Sequence, residues 1–191
     1  MKVDRKQTLR LHSRAEWEAW LDANHASSAG VWLVLSKKGV EPSTVSRADA
    51  LEVALCYGWI DGQAGSLDEG HWVQRFTPRT RRSRWSRINR DAATRLIANG
   101  LMKPAGLKEV EAAQRDGRWE RAYEPPTAME VPDDLRAALE QHPHGVQKFE
   151  QLNASSRYSV LYRIHDAKKP ETRARRIAKY VDMVVRGERI T

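Results

Sequence analysis

The chain has 191 residues and carries 33 Lys and Arg against 25 Asp and Glu, a formal charge of +8 at neutral pH. Hydrophobic residues make up 40% and charged residues 30%, a balance typical of folded proteins and not of disordered ones. No apolar run approaches the roughly 20 residues that cross a bilayer. Residues 1–10 lack the apolar core of an export signal, and the single cysteine, Cys56, excludes an internal disulfide. We therefore expect a cytoplasmic protein without a membrane span, a metal site or a cofactor.

The first 123 residues predict an α+β domain. Serines that precede amphipathic segments are typical of helix N-caps, and here they predict helices after Ser13, Ser46 and Ser86; a fourth helix is predicted from Pro104. Alternating or β-branched runs predict strands over residues 8–12, 31–35, 59–63 and 71–77, with a hairpin loop over 64–70. We expect an N-terminal antiparallel sheet flanked by helices. The predicted core residues are Trp17, Trp20, Trp32, Leu51, Leu55 and Ile60.

A proline-rich segment separates this domain from the rest of the chain. Adjacent prolines disfavour both helix and sheet, so Pro125, Pro126 and Pro132 predict a linker over residues 124–132. Residues 133–191 predict a helical region, because their apolar residues recur at helical spacing. A helix with one apolar stripe must cover it, so we expect this region to pack on the first domain.

The positive charge is concentrated in one stretch. Eight arginines and no lysine lie between Arg75 and Arg95, against the single acid Asp91. Arginine presents a planar fork that binds phosphate or carboxylate through two hydrogen bonds, whereas lysine is a point charge. A solvated basic face is the alternative, since many charge runs are only that.

The same stretch enters a helix, which adds backbone donors to the arginines. Ser86 is predicted as the N-cap, and a helix N-terminus attracts anions. Trp85 offers either a stacking face or a core side chain. Asp61 could orient Arg75 across the predicted hairpin, or it could form only a structural ion pair. The candidate anion-binding residues are Asp61, Arg75, Arg79, Arg82, Ser83, Trp85 and Asn89.

Established catalytic and metal-binding patterns are weak in this chain. Its six histidines include no H-E-x-x-H motif. His142 and His144 flank Pro143, which indicates a turn more simply than a metal site. Cys56 follows Leu55 on an apolar helix face, as a buried small residue would. The catalytic residues are therefore unknown, and the sequence leaves open whether the protein is an enzyme.

A second basic cluster precedes the last predicted helix. Cations near a helix N-terminus are disfavoured by the helix dipole, and a bound anion would relieve that cost. The alternative is pairing with Asp166 and Glu171. The candidate secondary basic site consists of Lys168, Lys169, Arg173 and Arg176.

Three motifs give the chain a family resemblance. They are Tyr57-Gly58-Trp59-Ile60-Asp61-Gly62-Gln63; Gln74-Arg75-Phe76-Thr77-Pro78-Arg79 with Ser83-Arg84-Trp85-Ser86 and Asn89; and Lys168 to Ile177, which reads KKPETRARRI. In these motifs, over nearly its whole length, the chain resembles the bacterial YdeI/OmpD-associated family, and its helical tail resembles the region named for bacteriocin protection. The resemblance implies a fold similar to the YjbR/CyaY-like superfamily. It carries over no established catalytic residues, and it links the protein to a porin by family name only.

Together these observations predict an anion-binding protein that acts in stress or antimicrobial-peptide resistance. The partner would be a small anionic ligand. Two alternatives stay open at this point. A nucleic-acid-binding protein would use the basic excess and Trp85, and its binding would depend strongly on salt. An enzyme acting on a phosphorylated or carboxylated small molecule would use Asp61 with Arg75 and Arg79 in a concave pocket.

Overall fold

The computed structural model describes residues 8–124 and 129–190. The chain forms two compact units, with the boundary between Tyr123 and Glu124. Residues 125–128 of the predicted linker lie outside the described residues. The predicted domain bounds of 1–123, 124–132 and 133–191, and the packing of the helical region on the first domain, stay predictions.

A four-stranded sheet forms the centre of the first unit. Its strands are β1 (Thr8–Leu9), β2 (Val31–Ser36), β3 (Trp59–Ser66) and β4 (His71–Pro78), in the spatial order β1-β2-β4-β3. The β2–β4 and β3–β4 pairs are antiparallel, whereas β1 runs parallel to β2. The predicted α+β class is confirmed, but the sheet is mixed and not wholly antiparallel. β3 also extends past its predicted end, because a bulge between Asp61 and Ala64 lets it continue pairing to Ser66.

Four helices accompany this sheet: α1 (Arg14–Asn24), α2 (Arg47–Cys56), α3 (Arg87–Ala98) and α4 (Pro104–Arg115). The three predicted serine caps are confirmed. The hydroxyl oxygens of Ser13, Ser46 and Ser86 each accept a hydrogen bond from the backbone N–H three residues later, at 3.1 Å. Each bond satisfies a donor that a helix leaves free in its first turn.

The core of the first unit lies between the helices and one face of the sheet. It contains Trp17, Leu33, Leu55, Trp59 and Phe76, and Trp20 and Leu51 pack against it while partly buried. The prediction that Trp32 belongs to this core is wrong, and so is that for Ile60; both are only half-buried and lie outside it. Successive strand residues point to opposite faces, so Trp32 faces away from its core neighbour Leu33.

The second unit is helical in its described part. Its helices are α5 (Asp133–Glu140), α6 (Gly145–Glu150), α7 (Ala154–His165) and α8 (Pro170–Arg186). One apolar cluster joins them, built from Leu139, Phe149, Leu161, Tyr180 and Val181 among others. Within the described ranges, no helix of either unit is both long and apolar enough to cross a membrane.

Candidate functional site

Arg79 lies at the point where β4 ends and the arginine-rich segment begins. Its backbone N–H donates to Gly58 O at 2.9 Å, which fixes the chain beside the start of β3. Its side chain turns inward, and the residue is only 6% exposed. Lysine and arginine are almost never buried unless paired, so this position calls for an account of its partners.

The Arg79 guanidinium stacks on Trp85. Its central carbon lies 3.6 Å from the centre of the indole ring, a close cation–π contact. Nη1 donates to Arg84 O at 3.2 Å. Trp85 is 2% exposed and packs edge-on against Trp119, with ring centres 4.9 Å apart. Arg79 is therefore held on one flat side and at one of its nitrogens.

The remaining donors of this group are unpartnered. Across residues 8–124 and 129–190, the buried side-chain nitrogen and oxygen atoms without a hydrogen bond are Arg79 Nε, Arg79 Nη2, Trp85 Nε1 and Arg118 Nη2. All four are N–H donors, and none is an acceptor. A buried donor without a partner costs about 1–3 kcal/mol, and folded proteins leave few of them. We call Arg79, Trp85, Arg118 and Trp119 the Arg79 cluster.

The two free nitrogens of Arg79 share one edge of the guanidinium. Nε and Nη2 point their N–H groups in parallel, which is the fork that binds two oxygens of one anion. Elsewhere in the chain this edge is filled: Arg173 Nε and Nη2 donate to the two Asp134 carboxylate oxygens at 2.6 and 2.9 Å. Arg186 binds Asp182 in the same way. The Arg79 edge is thus a bidentate donor pair that no protein acceptor meets.

Arg118 connects the cluster to the neighbouring turn. Its Nη1 donates to Ser83 O at 3.0 Å, and its Nε donates to the Asp116 carboxylate at 2.9 Å. Nη2 lies 2.9 Å from Asp116 Oδ2 as an ion pair but lacks hydrogen-bond alignment. Nothing in the sequence analysis assigned a role to Arg118 or Trp119. The signal available was that this Arg-Trp pair, directly after Gly117, repeats the pair Arg84-Trp85.

The electrostatics of Arg79 are those of a desolvated cation. Burial is the main cause that lowers its pKa to about 10, so it still carries its charge at neutral pH. The nearby Glu109 and Asp61 carboxylates favour the charged form, while the Arg118 charge opposes it. Neither carboxylate hydrogen-bonds to Arg79 within the described part of the chain.

The predicted contact between Asp61 and Arg75 is absent. The register places Asp61 opposite Phe76, and Arg75 opposite Trp32 on the other neighbouring strand. Asp61 pairs instead with Arg47 at 3.2 Å. The Arg75 guanidinium lies 5.8 Å from the Trp32 ring. The two residues therefore make their contacts outside the cluster, as structural partners of α2 and β2.

Three further predicted site residues lie in the turn and helix next to the cluster. Ser83 accepts from Thr80 N–H at 3.0 Å and closes the turn at residues 80–83. The side chain of Arg82 extends from this turn and is exposed. Asn89 is 7% exposed, and its N–H donates to Ser86.

The expected backbone cradle at the start of α3 is largely taken by protein acceptors. Asn89 N–H binds the Ser86 cap, and Arg87 N–H donates to Tyr123 O at 2.8 Å. Two of the first three backbone donors of α3 are therefore already bound, and the unpartnered buried side-chain donors of this region are those of the Arg79 cluster.

The arginines of the secondary basic cluster are bound to the protein itself. Arg173 holds Asp134, as described above, and donates to Ile164 O at 3.0 Å. Arg176 donates to Arg163 O and lies 3.7 Å from Asp166. Lys168 and Lys169 are exposed. This arrangement is the one expected of arginines that stabilise helix packing.

Cys56 lies at a separate cavity of about 180 Å³, lined by Arg14, Glu18, Met102 and Lys103 among others. Burial raises the pKa of its thiol, which keeps it protonated, as in a packing residue. No group of three or more His, Cys, Asp or Glu side chains in the described ranges is placed to hold a metal ion.

Two protein-family models match the chain. Residues 9–109, which hold almost the whole sheet, α1 to α3 and all eight arginines of the arginine-rich stretch, match the domain of unknown function DUF8412. The chain belongs to the DUF8412 family. Residues 128–187 match "Bacteriocin-protection, YdeI or OmpD-Associated", so the second unit is a domain of that kind. Searches of curated proteins and of solved structures found no match.

The motifs on which the family resemblance rests fall in two different family matches. KKPETRARRI lies inside the YdeI/OmpD-associated match, whose assignment is confirmed for residues 128–187. The motifs around Asp61 and Arg79 lie inside the DUF8412 match. The resemblance is thus confirmed for one unit and not for nearly the whole chain. The Arg79 cluster starts in the DUF8412 region and takes Arg118 and Trp119 from just beyond its end.

Proposed function

We propose that this protein binds a small anion through the Arg79 cluster. The observation that carries the proposal is the empty fork of Arg79: two parallel, buried donors, Nε and Nη2, with no acceptor. A single anion would satisfy both donors and would neutralise a cation that has been removed from water. Hydrogen bonds that involve charged groups contribute about 1.5–3 kcal/mol each, which is enough to hold a small ligand.

The free-energy cost of burying the Arg79 guanidinium also supports an anion site. A guanidinium that is taken out of water without a counter-ion destabilises the fold, and breaking a buried pair by removing one partner costs about 3–5 kcal/mol. A protein that only needed packing at position 79 would use an apolar side chain of similar length. An anion bound at the fork would offset the cost of burying this charge.

Access to the fork requires movement of one short segment. The chain leaves Arg79 through the turn at residues 80–83 and returns to it at Arg84 and Trp85. Arg118 Nη1 holds this turn through Ser83 O at 3.0 Å. Arg118 Nη1 also reaches Thr80 O, at 3.5 Å, whereas the other hydrogen bonds of the turn lie within it. Release of Arg118 would therefore let the turn move as a unit and admit a ligand, and the exposed Arg82 would attract anions to the entrance.

The family names suggest a setting for this binding. We propose that the protein is cytoplasmic and YjbR/CyaY-like in its first domain. We also propose that it contributes to stress or antimicrobial-peptide resistance, in keeping with the bacteriocin-protection description of residues 128–187. A bacterial host that expresses the parent protein should then survive cationic peptides better than one that expresses Arg79→Met.

A melting series tests the binding itself. The parent protein is melted in phosphate, sulfate, nucleotides and short DNA against chloride at matched ionic strength, because screening alone changes charge repulsion. An anion at about a hundred times its dissociation constant stabilises the folded state by roughly 2.7 kcal/mol, which shifts the melting temperature measurably. Arg79→Met should lose this shift, and Arg81→Met, its exposed neighbour, should keep it.

The outcomes separate the alternatives. If no anion raises the melting temperature above chloride, or if Arg79→Met responds as the parent does, the anion site is excluded. Stabilisation by DNA alone that fades steeply with salt would favour the nucleic-acid alternative. Turnover of a phosphate ester by the parent, lost in Arg79→Met, would favour the enzyme.

A further inference from the structure

We infer that the anion bound by the Arg79 cluster is a tetrahedral oxyanion, a phosphate or phosphate monoester, and not a carboxylate. This inference rests on the proposed function and narrows its ligand class. Its basis is that a third unpartnered donor, Trp85 Nε1, belongs to the ring over which the Arg79 guanidinium lies.

The two sets of donors lie in different planes. The guanidinium carbon of Arg79 lies over the face of the Trp85 ring, 3.6 Å from the ring centre. The Nε and Nη2 hydrogens of Arg79 lie in the guanidinium plane. Trp85 Nε1 belongs to the indole ring over which the guanidinium lies, so it is not part of the Arg79 fork. The unpartnered donors of the cluster therefore do not all belong to the plane of the Arg79 guanidinium.

A carboxylate does not match this arrangement. When it binds the fork side-on, both oxygens and their lone pairs lie in the guanidinium plane, as in the pair of Arg173 with Asp134. It then directs no oxygen toward the indole plane, and Trp85 Nε1 would stay unpartnered.

A tetrahedral oxyanion matches it better. Two of its oxygens occupy the fork, and the other two point above and below the guanidinium plane, where one can accept from Trp85 Nε1. The remaining oxygen can accept from another donor, and Arg118 Nη2 is one that still lacks an aligned acceptor. One phosphate or sulfate could thus satisfy donors that a carboxylate would leave free.

Charge-matched probes and one conservative variant test the ligand class. Melting temperature and calorimetric affinity are measured with sulfate, inorganic phosphate and methyl phosphate against oxalate, a planar dianion, at matched ionic strength. Trp85→Phe keeps a flat ring under Arg79 but removes the N–H. Trp32→Phe is the matched control, since Trp32 lies on β2 next to Arg75 and outside the Arg79 cluster.

We expect sulfate and phosphate to bind at least about tenfold more tightly than oxalate, with methyl phosphate distinguishing an ester site from a free-phosphate site. Trp85→Phe should weaken phosphate binding about tenfold, as loss of one charge-assisted hydrogen bond does. Trp85→Phe should leave oxalate binding unchanged, and Trp32→Phe should behave as the parent. Where Trp85→Phe does not fold, Arg118→Lys takes its place, with the same expected loss.

Two results would overturn the inference. If oxalate binds as tightly as sulfate, or if Trp85→Phe and the parent bind phosphate equally, the ligand is not a tetrahedral oxyanion held by these donors, while the anion site itself stands. If no anion binds above the chloride control, the proposed function fails and this inference fails with it.

Discussion

Arg79 and Arg173 show how differently two arginines of one chain are accommodated. Arg173 is the more exposed of the two, and its Nε and Nη2 both bind the Asp134 carboxylate. Arg79 is 6% exposed, and its side chain makes one hydrogen bond, from Nη1, besides its contact with Trp85. Hydrogen bonds thus offset the cost of taking the Arg173 guanidinium out of water, whereas the same cost at Arg79 is largely not offset.

This contrast predicts that replacing the buried Arg79 destabilises the fold less than replacing the more exposed Arg173. Mutational cost usually rises with burial, so the expected order is reversed. In chloride, Arg79→Met should unfold within about 1 kcal/mol of the parent, because it removes a buried charge and two unsatisfied donors along with one hydrogen bond and the stacking contact. Arg173→Met should lose about 1 kcal/mol, because it removes both the pairing with Asp134 and the hydrogen bond to Ile164 O. Denaturant unfolding measures both changes. A large loss for Arg79→Met together with none for Arg173→Met would mean that Arg79 serves the fold alone.

At the scale of helices and strands, the sequence predictions succeeded where the deciding contact joins residues that are close together in the chain. The caps at Ser13, Ser46 and Ser86 depend on a side chain and an N–H three residues away, so the sequence contains all of the necessary information. The partner of Asp61 depends on strand register and on α2, which supplies Arg47. Local spacing does not encode such distant pairings, and for that reason the contact with Arg75 was predicted wrongly.

The same limit applies to the candidate site. Arg79 and Trp85 were identified because the all-arginine stretch and its tryptophan are visible in the sequence. Arg118 was missed because a different segment brings it to the turn at residues 80–83. Trp32 was assigned to the core on hydrophobicity, but strand alternation places it on the opposite face from Leu33, and only the assembled sheet shows which face the helices cover.

The pair of Asp134 on α5 with Arg173 on α8 predicts a pH dependence. The hydrogen bonds that Asp134 accepts from Arg173 lower the pKa of its carboxyl group. Asp134 therefore binds a proton less tightly in the folded state than in the unfolded state. The pair therefore stabilises the folded state at pH values above about 3.9, the pKa of Asp134 in the unfolded chain. This stabilisation is lost as the pH falls through the lower pKa that Asp134 has in the folded state. Because Asp134 is half exposed, we expect only about 0.5–1 kcal/mol.

Comparison with Asp134→Asn isolates this term. The stability difference between the parent and the variant should be constant from about pH 7 to pH 5 and should shrink below about pH 4. Denaturant melts across that range measure it. A difference that stays the same at pH 3, or that grows there, would show that the Asp134 charge does not stabilise the contact of α5 with α8.

At the scale of the whole molecule, the chain contains two apolar cores. The first joins the helices of residues 14–115 to one sheet face, and the second joins α5 to α8. The division also separates the two family matches, since residues 9–109 belong to the DUF8412 match and residues 128–187 to the other. The candidate anion site lies entirely in the first unit.

The packing of the helical region on the first domain is tested by limited proteolysis. If the apolar stripes of the tail are covered by the first domain, a protease should cut residues 124–132 slowly in the native protein. The time course on a gel measures this, with a denatured sample as the reference for unprotected cleavage. Rapid release of a stable fragment of residues 1–125 would contradict the predicted packing.

The central claim is that an anion occupies the Arg79 fork, and a crystal structure of the full chain grown with saturating sulfate tests it most directly. The account predicts a tetrahedral anion with two oxygens at about 3 Å from Arg79 Nε and Nη2. A structure in which those two nitrogens bind Glu109, another protein acceptor or water alone, with no anion present, would contradict it.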